Sequence, residues 1–107
     1  MDKVIEDGLV AVLYSPGFGA GWYTWNYAHP ECLYDPEIVD MVRTGAPAAE
    51  IEDVARSKWE QDNDYFYPGG ADGLRIEWLP EGTRFRIEEY DGSENLVTEH
   101  DQEWLTA

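Results

Sequence analysis

A chain of 107 residues fits one domain with a modest core, and 43% hydrophobic residues, with five tryptophans, seven tyrosines and three phenylalanines, exclude a wholly disordered acidic segment. Seven basic residues face 23 acidic ones, and the formal net charge of −16 makes free nucleic acid and anionic membranes poor partners. A field of that sign favours basic surfaces, such as the nucleic-acid-binding grooves of other proteins, although solubility or a salt-rich habitat accounts for acidity equally well.

The first seven residues are acidic and short, unlike a signal peptide, and no apolar run approaches membrane-spanning length. Residues 9–14, Leu-Val-Ala-Val-Leu-Tyr, form an almost continuous apolar run between Gly8 and Pro16-Gly17, the pattern of a buried central strand. The strand leads into Ser15-Pro16-Gly17-Phe18-Gly19-Ala20-Gly21-Trp22-Tyr23-Thr24-Trp25-Asn26, where three alternating glycines precede three large aromatics. Alternation and aromatic content predict a second short strand over residues 22–27.

Asp35-Pro36 opens the clearest helix, with Asp35 placed as its cap, Pro36 at the first helical position and Gly45 as its stop. Ile38, Met41 and Val42 share one face of it. A second helix is expected over residues 47–61, with Ala48, Ile51, Val54, Ala55 and Trp59 at helical spacing and Glu50, Glu52, Asp53 and Glu60 on its outer side.

Tyr65-Phe66-Tyr67-Pro68-Gly69-Gly70-Ala71-Asp72-Gly73 follows as a second aromatic and glycine-rich connection. Residues 74–78 and 83–88 alternate strictly around a Pro80-Glu81-Gly82 turn, and Asp91-Gly92-Ser93-Glu94 leads to a further strand over 95–99. These three strands predict an antiparallel meander with Leu74, Ile76, Trp78, Phe85 and Ile87 facing the helices and a charged, solvated opposite face. Residues 101–107 are expected to pack Trp104 and Leu105 over the core edge. The fold class expected is α+β, an antiparallel sheet of about four strands, the C-terminal meander plus the N-terminal strand, with two helices on one face.

Chemistry is sparse. Cys32 is the single cysteine, which excludes a disulfide framework and suits a cytoplasmic setting. His29 lies three residues before it across Pro30, a poor geometry for a nucleophile and its base, and neither His29 nor His100 has a metal-ligand partner at the right spacing. No catalytic residue, metal or cofactor is assigned, and a hydrolytic activity has no motif behind it. The Gly17-x-Gly19-x-Gly21 spacing invites a phosphate-cradling nest, yet it matches neither the dinucleotide fingerprint nor a P-loop.

The aromatics in and around the two glycine loops are too many to be core alone, and Trp and Tyr are favoured interface anchors and stacking platforms. Phe18, Trp22, Tyr23, Trp25, Tyr65 and Tyr67 are therefore the candidate anchors, with Glu50, Asp53 and Glu60 as candidate steering charges. In an alternative arrangement Gly17, Gly19, Gly21, Gly69 and Gly70 would enclose a small molecule or nucleotide whose ring stacks on Trp22 or Trp25. A homodimer is left open.

Residues 14–26, then Gly69-Gly70-Ala71-Asp72-Gly73-Leu74, Gly82-Thr83-Arg84-Phe85-Arg86-Ile87 and Glu89-Tyr90-Asp91-Gly92, resemble small acidic proteins of tailed bacteriophages and prophages over most of the chain. That resemblance carries no catalytic residues. It implies a host-cell setting and a non-enzymatic role as inhibitor of a host enzyme or defence system, and the acidic charge points to a partner with a basic, nucleic-acid-handling surface in the host cytoplasm.

Overall fold

Ile5–Glu6 (β1) and Leu9–Tyr14 (β2) pair as an antiparallel hairpin with Glu6 opposite Leu9. Asp7 and Gly8 between them have φ of 51° and 77°, the two-residue turn whose twist suits flanking strands. Asp91 and Gly92, with φ of 49° and 84°, repeat that turn between Phe85–Tyr90 (β4) and Ser93–Thr98 (β5). A computed structural model describes residues 1–17 and 21–99, and the fold is α+β with five strands in two antiparallel sheets and two helices. The expected packing of Trp104 and Leu105 lies outside the described residues.

One expected strand pairing differs. Arg75–Pro80 (β3) pairs along its whole length with β2, Leu9 opposite Pro80 and Tyr14 opposite Arg75, while β4 pairs with β5 in a separate hairpin. The turn after β3 does form, Thr83 donating its amide to the Pro80 carbonyl at 3.0 Å, but it leads from one sheet to the other. The reason lies in β2. Its side chains are apolar on both faces: Ala11 and Leu13 pack with Ile38, Val39, Ile51, Ala55 and Trp59 on the helix side, while Val12 packs with Leu33 and Leu79 on the other. A single flat sheet would leave Val10 and Val12 in water. The β4–β5 hairpin covers them, so Phe85 and Ile87 face Val12 and Leu79 rather than the helices.

Pro36–Arg43 (α1) begins as its residues dictate, Asp35 Oδ1 accepting from the Ile38 amide at 3.1 Å. It ends where Gly45, at φ 74°, lets the Ala46 amide reach the Met41 carbonyl at 2.9 Å and its own amide reach Val42 at 3.2 Å. Ala48–Trp59 (α2) buries Ile51, Ala55 and Trp59 at four-residue intervals. Lys58 joins the helices through Glu37 at 2.9 Å and Asp35 at 3.4 Å, and the hydrogen bond to Glu37 raises its pKa. Arg43 forks onto Glu6 at 2.9 and 2.6 Å and rests 4.8 Å from the Trp78 ring centre, tying α1 to the sheet. Among the described residues no helix is long and apolar enough to cross a membrane.

Candidate functional site

The aromatic surface is positioned by a carboxylate that looks, in sequence, like one more surface charge. Glu94 on β5 is 2% exposed. Its Oε1 accepts from the Ser15 amide at 2.8 Å, and its Oε2 accepts from the amides of Trp22 at 2.9 Å and Thr24 at 2.8 Å and from the Thr24 hydroxyl at 2.7 Å. The Glu94 amide donates in turn to the Ser15 carbonyl at 2.8 Å, and the Ser93 hydroxyl to Pro16 at 2.8 Å. One side chain thus holds both ends of the first glycine loop. Four donors satisfy a buried charge that would otherwise be strongly unfavourable. The alternation of β5 carries the signal: Leu96 faces the core, so Glu94 does too.

The amides of Ser15, Trp22 and Thr24, which flank the glycines, do converge on an anion, but the anion is a side chain of the protein itself. The two glycine-rich segments meet where Gly70 lies on Gly21: a Cβ on Gly70 would collide with the Gly21 carbonyl and lie 2.9 Å from the Trp22 nitrogen. Gly17 and Gly73 are in looser, ordinary contact, a Cβ on Gly73 lying 3.7 Å from the Gly17 Cα. Gly69 starts a 3-10 turn, Gly69–Ala71, beside them. Gly70 therefore serves a backbone contact, whereas a Cβ on Gly21 would collide with the Thr24 hydroxyl and the Trp25 ring. Gly19 and Phe18 lie outside the described residues.

Residues 22–27 do not form the expected strand. Tyr23–Trp25 is a 3-10 turn, because Trp22 and Thr24 both direct their amides at Glu94. Trp22 is wholly buried, edge-on to Phe66 at 5.3 Å and Trp59 at 6.2 Å, with its indole N–H on the Cys32 carbonyl at 2.7 Å. It is a core residue and offers no face to a partner. Asn26, also buried, exchanges hydrogen bonds with the Tyr67 backbone, donating at 2.9 Å and accepting at 2.7 Å, which brings the second aromatic loop beside the first.

That junction sets out a row of rings. Trp25, 41% exposed, lies 4.8 Å from half-buried Tyr67, and Tyr67 lies 6.3 Å from Tyr65, which is 67% exposed. Tyr23 is half-buried against exposed Tyr27, edge-on at 5.4 Å. Glu50 and Asp53 are exposed on α2, and Glu60 is exposed as the extended residue that caps its end. Glu60, Asp62 and Asp64 precede Tyr65 in the chain and are exposed. Glu89, in sequence one of many meander carboxylates, sits beside Trp25: its Oε1 accepts from the indole N–H at 3.3 Å and from the Gly92 amide at 2.6 Å.

Cys32 is fully buried, and burial together with the charges of Glu94 and Glu31 pushes its thiol far above the ordinary range, unlike an activated nucleophile. The His29 ring points to Asp64 at 3.0 Å and Glu31 at 3.5 Å. No group of three or more His, Cys, Asp or Glu side chains placed to hold a metal occurs among the described residues. A separate open groove of about 590 Å³ is lined by Tyr23, Leu33, Tyr34, Phe85 and Ile87, with Lys3 4.5 Å above the Tyr34 ring. Burial raises the Tyr34 phenol there. No family model, curated protein or solved structure matches the chain.

Proposed function

We propose that this chain is a non-enzymatic binding protein that occupies a basic surface on another protein, as an inhibitor of a nucleic-acid-handling enzyme or defence factor of a host cell. The observation that carries this reading is the row Trp25–Tyr67–Tyr65, exposed at both ends, set in a domain of net charge −16. Aromatic rings that remain exposed on a segment held by the Glu94 and Asn26 hydrogen bonds are suited to anchoring a partner. Carboxylates on α2 and before Tyr65 supply the long-range attraction, and spaced negative charge resembles a phosphate backbone to a basic groove. The resemblance to phage proteins supports the host setting.

Titration against a panel of basic nucleic-acid-binding proteins tests this. Binding should weaken at least about tenfold between 0.05 M and 0.5 M salt, as screening shortens the reach of the field. Affinity that is flat across that range removes the electrostatic basis.

Sequestration of a small molecule is a second reading, for which the groove lined by Tyr23, Tyr34 and Phe85 offers space. A nucleotide panel in a thermal-shift measurement tests it, since a ligand at a hundred times its Kd adds about 2.7 kcal/mol of stability.

A further inference from the structure

We infer that the corner formed by Trp25, Tyr67 and Glu89 is a seat for an arginine side chain of the partner, so that the site distinguishes arginine from lysine and not merely positive charge from none. The inference rests on the basic-partner reading and narrows it to one chemical group.

Glu89 is the informative residue. Oε1 is engaged by the Gly92 amide at 2.6 Å and the Trp25 indole N–H at 3.3 Å, which fixes the carboxylate at the edge of the indole. Oε2 has no hydrogen-bond donor or cation among the described residues. Three of the chain's own cations have other carboxylate partners: Arg43 with Glu6, Lys58 with Asp35 and Glu37, and Arg86 with Glu88. Glu89 also stands opposite Glu94 in the β4–β5 ladder, so a second negative charge reinforces the potential at this end of the hairpin.

The rings complete the chemistry. Trp25 is 41% exposed and is flanked by Tyr67 at 4.8 Å, giving a flat, electron-rich surface next to a pre-oriented oxygen. A guanidinium is planar, stacks on an indole face and keeps its N–H groups in a fixed fork for a carboxylate. An ammonium is compact and strongly hydrated, and gains less from the same surface. The acidic field alone would treat the two alike.

The experiment compares two peptides of equal length and charge, one arginine-rich and one lysine-rich, titrated against the intact chain by calorimetry at low salt. The arginine peptide should bind at least about fivefold more tightly, the scale of one cation–π contact with a carboxylate beside it. Trp25→Ala and Glu89→Gln should each bring the arginine peptide to within about twofold of the lysine peptide, whose affinity changes little. Glu89→Gln alters one exposed side chain, so it remains informative if the tryptophan variant folds poorly. Equal affinity for the two peptides, or a preference that survives Glu89→Gln, overturns the arginine seat while leaving a basic partner in place. Failure of both peptides to bind overturns the basic-partner reading and the seat with it.

Discussion

Glu89 and Glu94 stand directly opposite each other across the β4–β5 ladder, two like charges on the same face of one hairpin. Such a pair repels unless each carboxylate has its own donors. Here Glu94 takes the amides of Ser15, Trp22 and Thr24, and Glu89 takes the Gly92 amide and the Trp25 indole. One carboxylate builds the loop from within, and the other borders the ring it displays.

Glu94→Ala should destabilise the fold by about 3 kcal/mol or more, since it leaves the buried amides of Ser15, Trp22 and Thr24 without their acceptor. Glu94→Gln retains one acceptor oxygen and should cost less, about 1–3 kcal/mol. Urea denaturation monitored by circular dichroism measures both. Stability equal to the parent in Glu94→Ala would mean that the clasp does not hold the loop.

Trp22 and Trp25, three residues apart, should separate cleanly. Trp22→Ala empties a core position against Trp59 and Phe66 and should cost about 3–5 kcal/mol. Trp25→Ala should change stability by less than about 1 kcal/mol while weakening capture of the partner. Parallel chemical denaturation and pull-down from a host lysate give the two readouts, and an opposite ranking would contradict the placement of these rings.

Gly70→Ala should be poorly tolerated, losing about 1–3 kcal/mol, because the new methyl group meets the Gly21 backbone. Gly82→Ala meets no neighbouring atom within 4 Å and carries only the strain of its φ of 84°, about 1 kcal/mol. Thermal denaturation of the pair isolates the cost of loop-to-loop contact.

Cys32 sets an alkaline limit. Its folded-state thiol titrates well above the ordinary value of 9.0, so the folded chain keeps that proton after the unfolded chain has lost it. The sign follows: stability attributable to this group is intact below pH 9 and falls as pH rises past it, by up to about 1.4 kcal/mol per unit. Cys32→Ala should flatten that alkaline limb in denaturation curves taken from pH 8 to 10.5. A thiol-specific reagent should react with the parent only as it unfolds.

The locally encoded features were legible in the sequence. The apolar run of β2, the Asp35-Pro36 start and Gly45 stop of α1, and the Asp91-Gly92 turn each depend on a few adjacent residues. The partner of β3 did not, because pairing with β2 joins residues more than sixty positions apart and is decided by what must cover Val10 and Val12. Residues 22–27 inverted the usual rule. Thr24 and Asn26 are buried with Trp22, and Trp25 and Tyr27 face outward, since the polar pair serves Glu94 and the Tyr67 backbone. Hydrophobicity identified the right segment but could not say which of its rings would be displayed. Glu89 and Glu94 were hidden by the abundance of acid around them, although the alternation that turned Ile87 and Leu96 inward assigned the same face to both.

The clasp on Glu94 also fixes an order of events during synthesis. Ser15, Trp22 and Thr24 leave the ribosome long before the acceptor that binds their amides, 70 to 79 residues later in the chain. Early helices and the β1–β2 hairpin can form from local contacts, but the native arrangement of the ring-bearing loop waits for β5. A nascent or prematurely terminated chain ending before residue 94 would have Trp25 and Tyr67 without the geometry that presents them, so the ring-bearing surface is completed only when β5 is made.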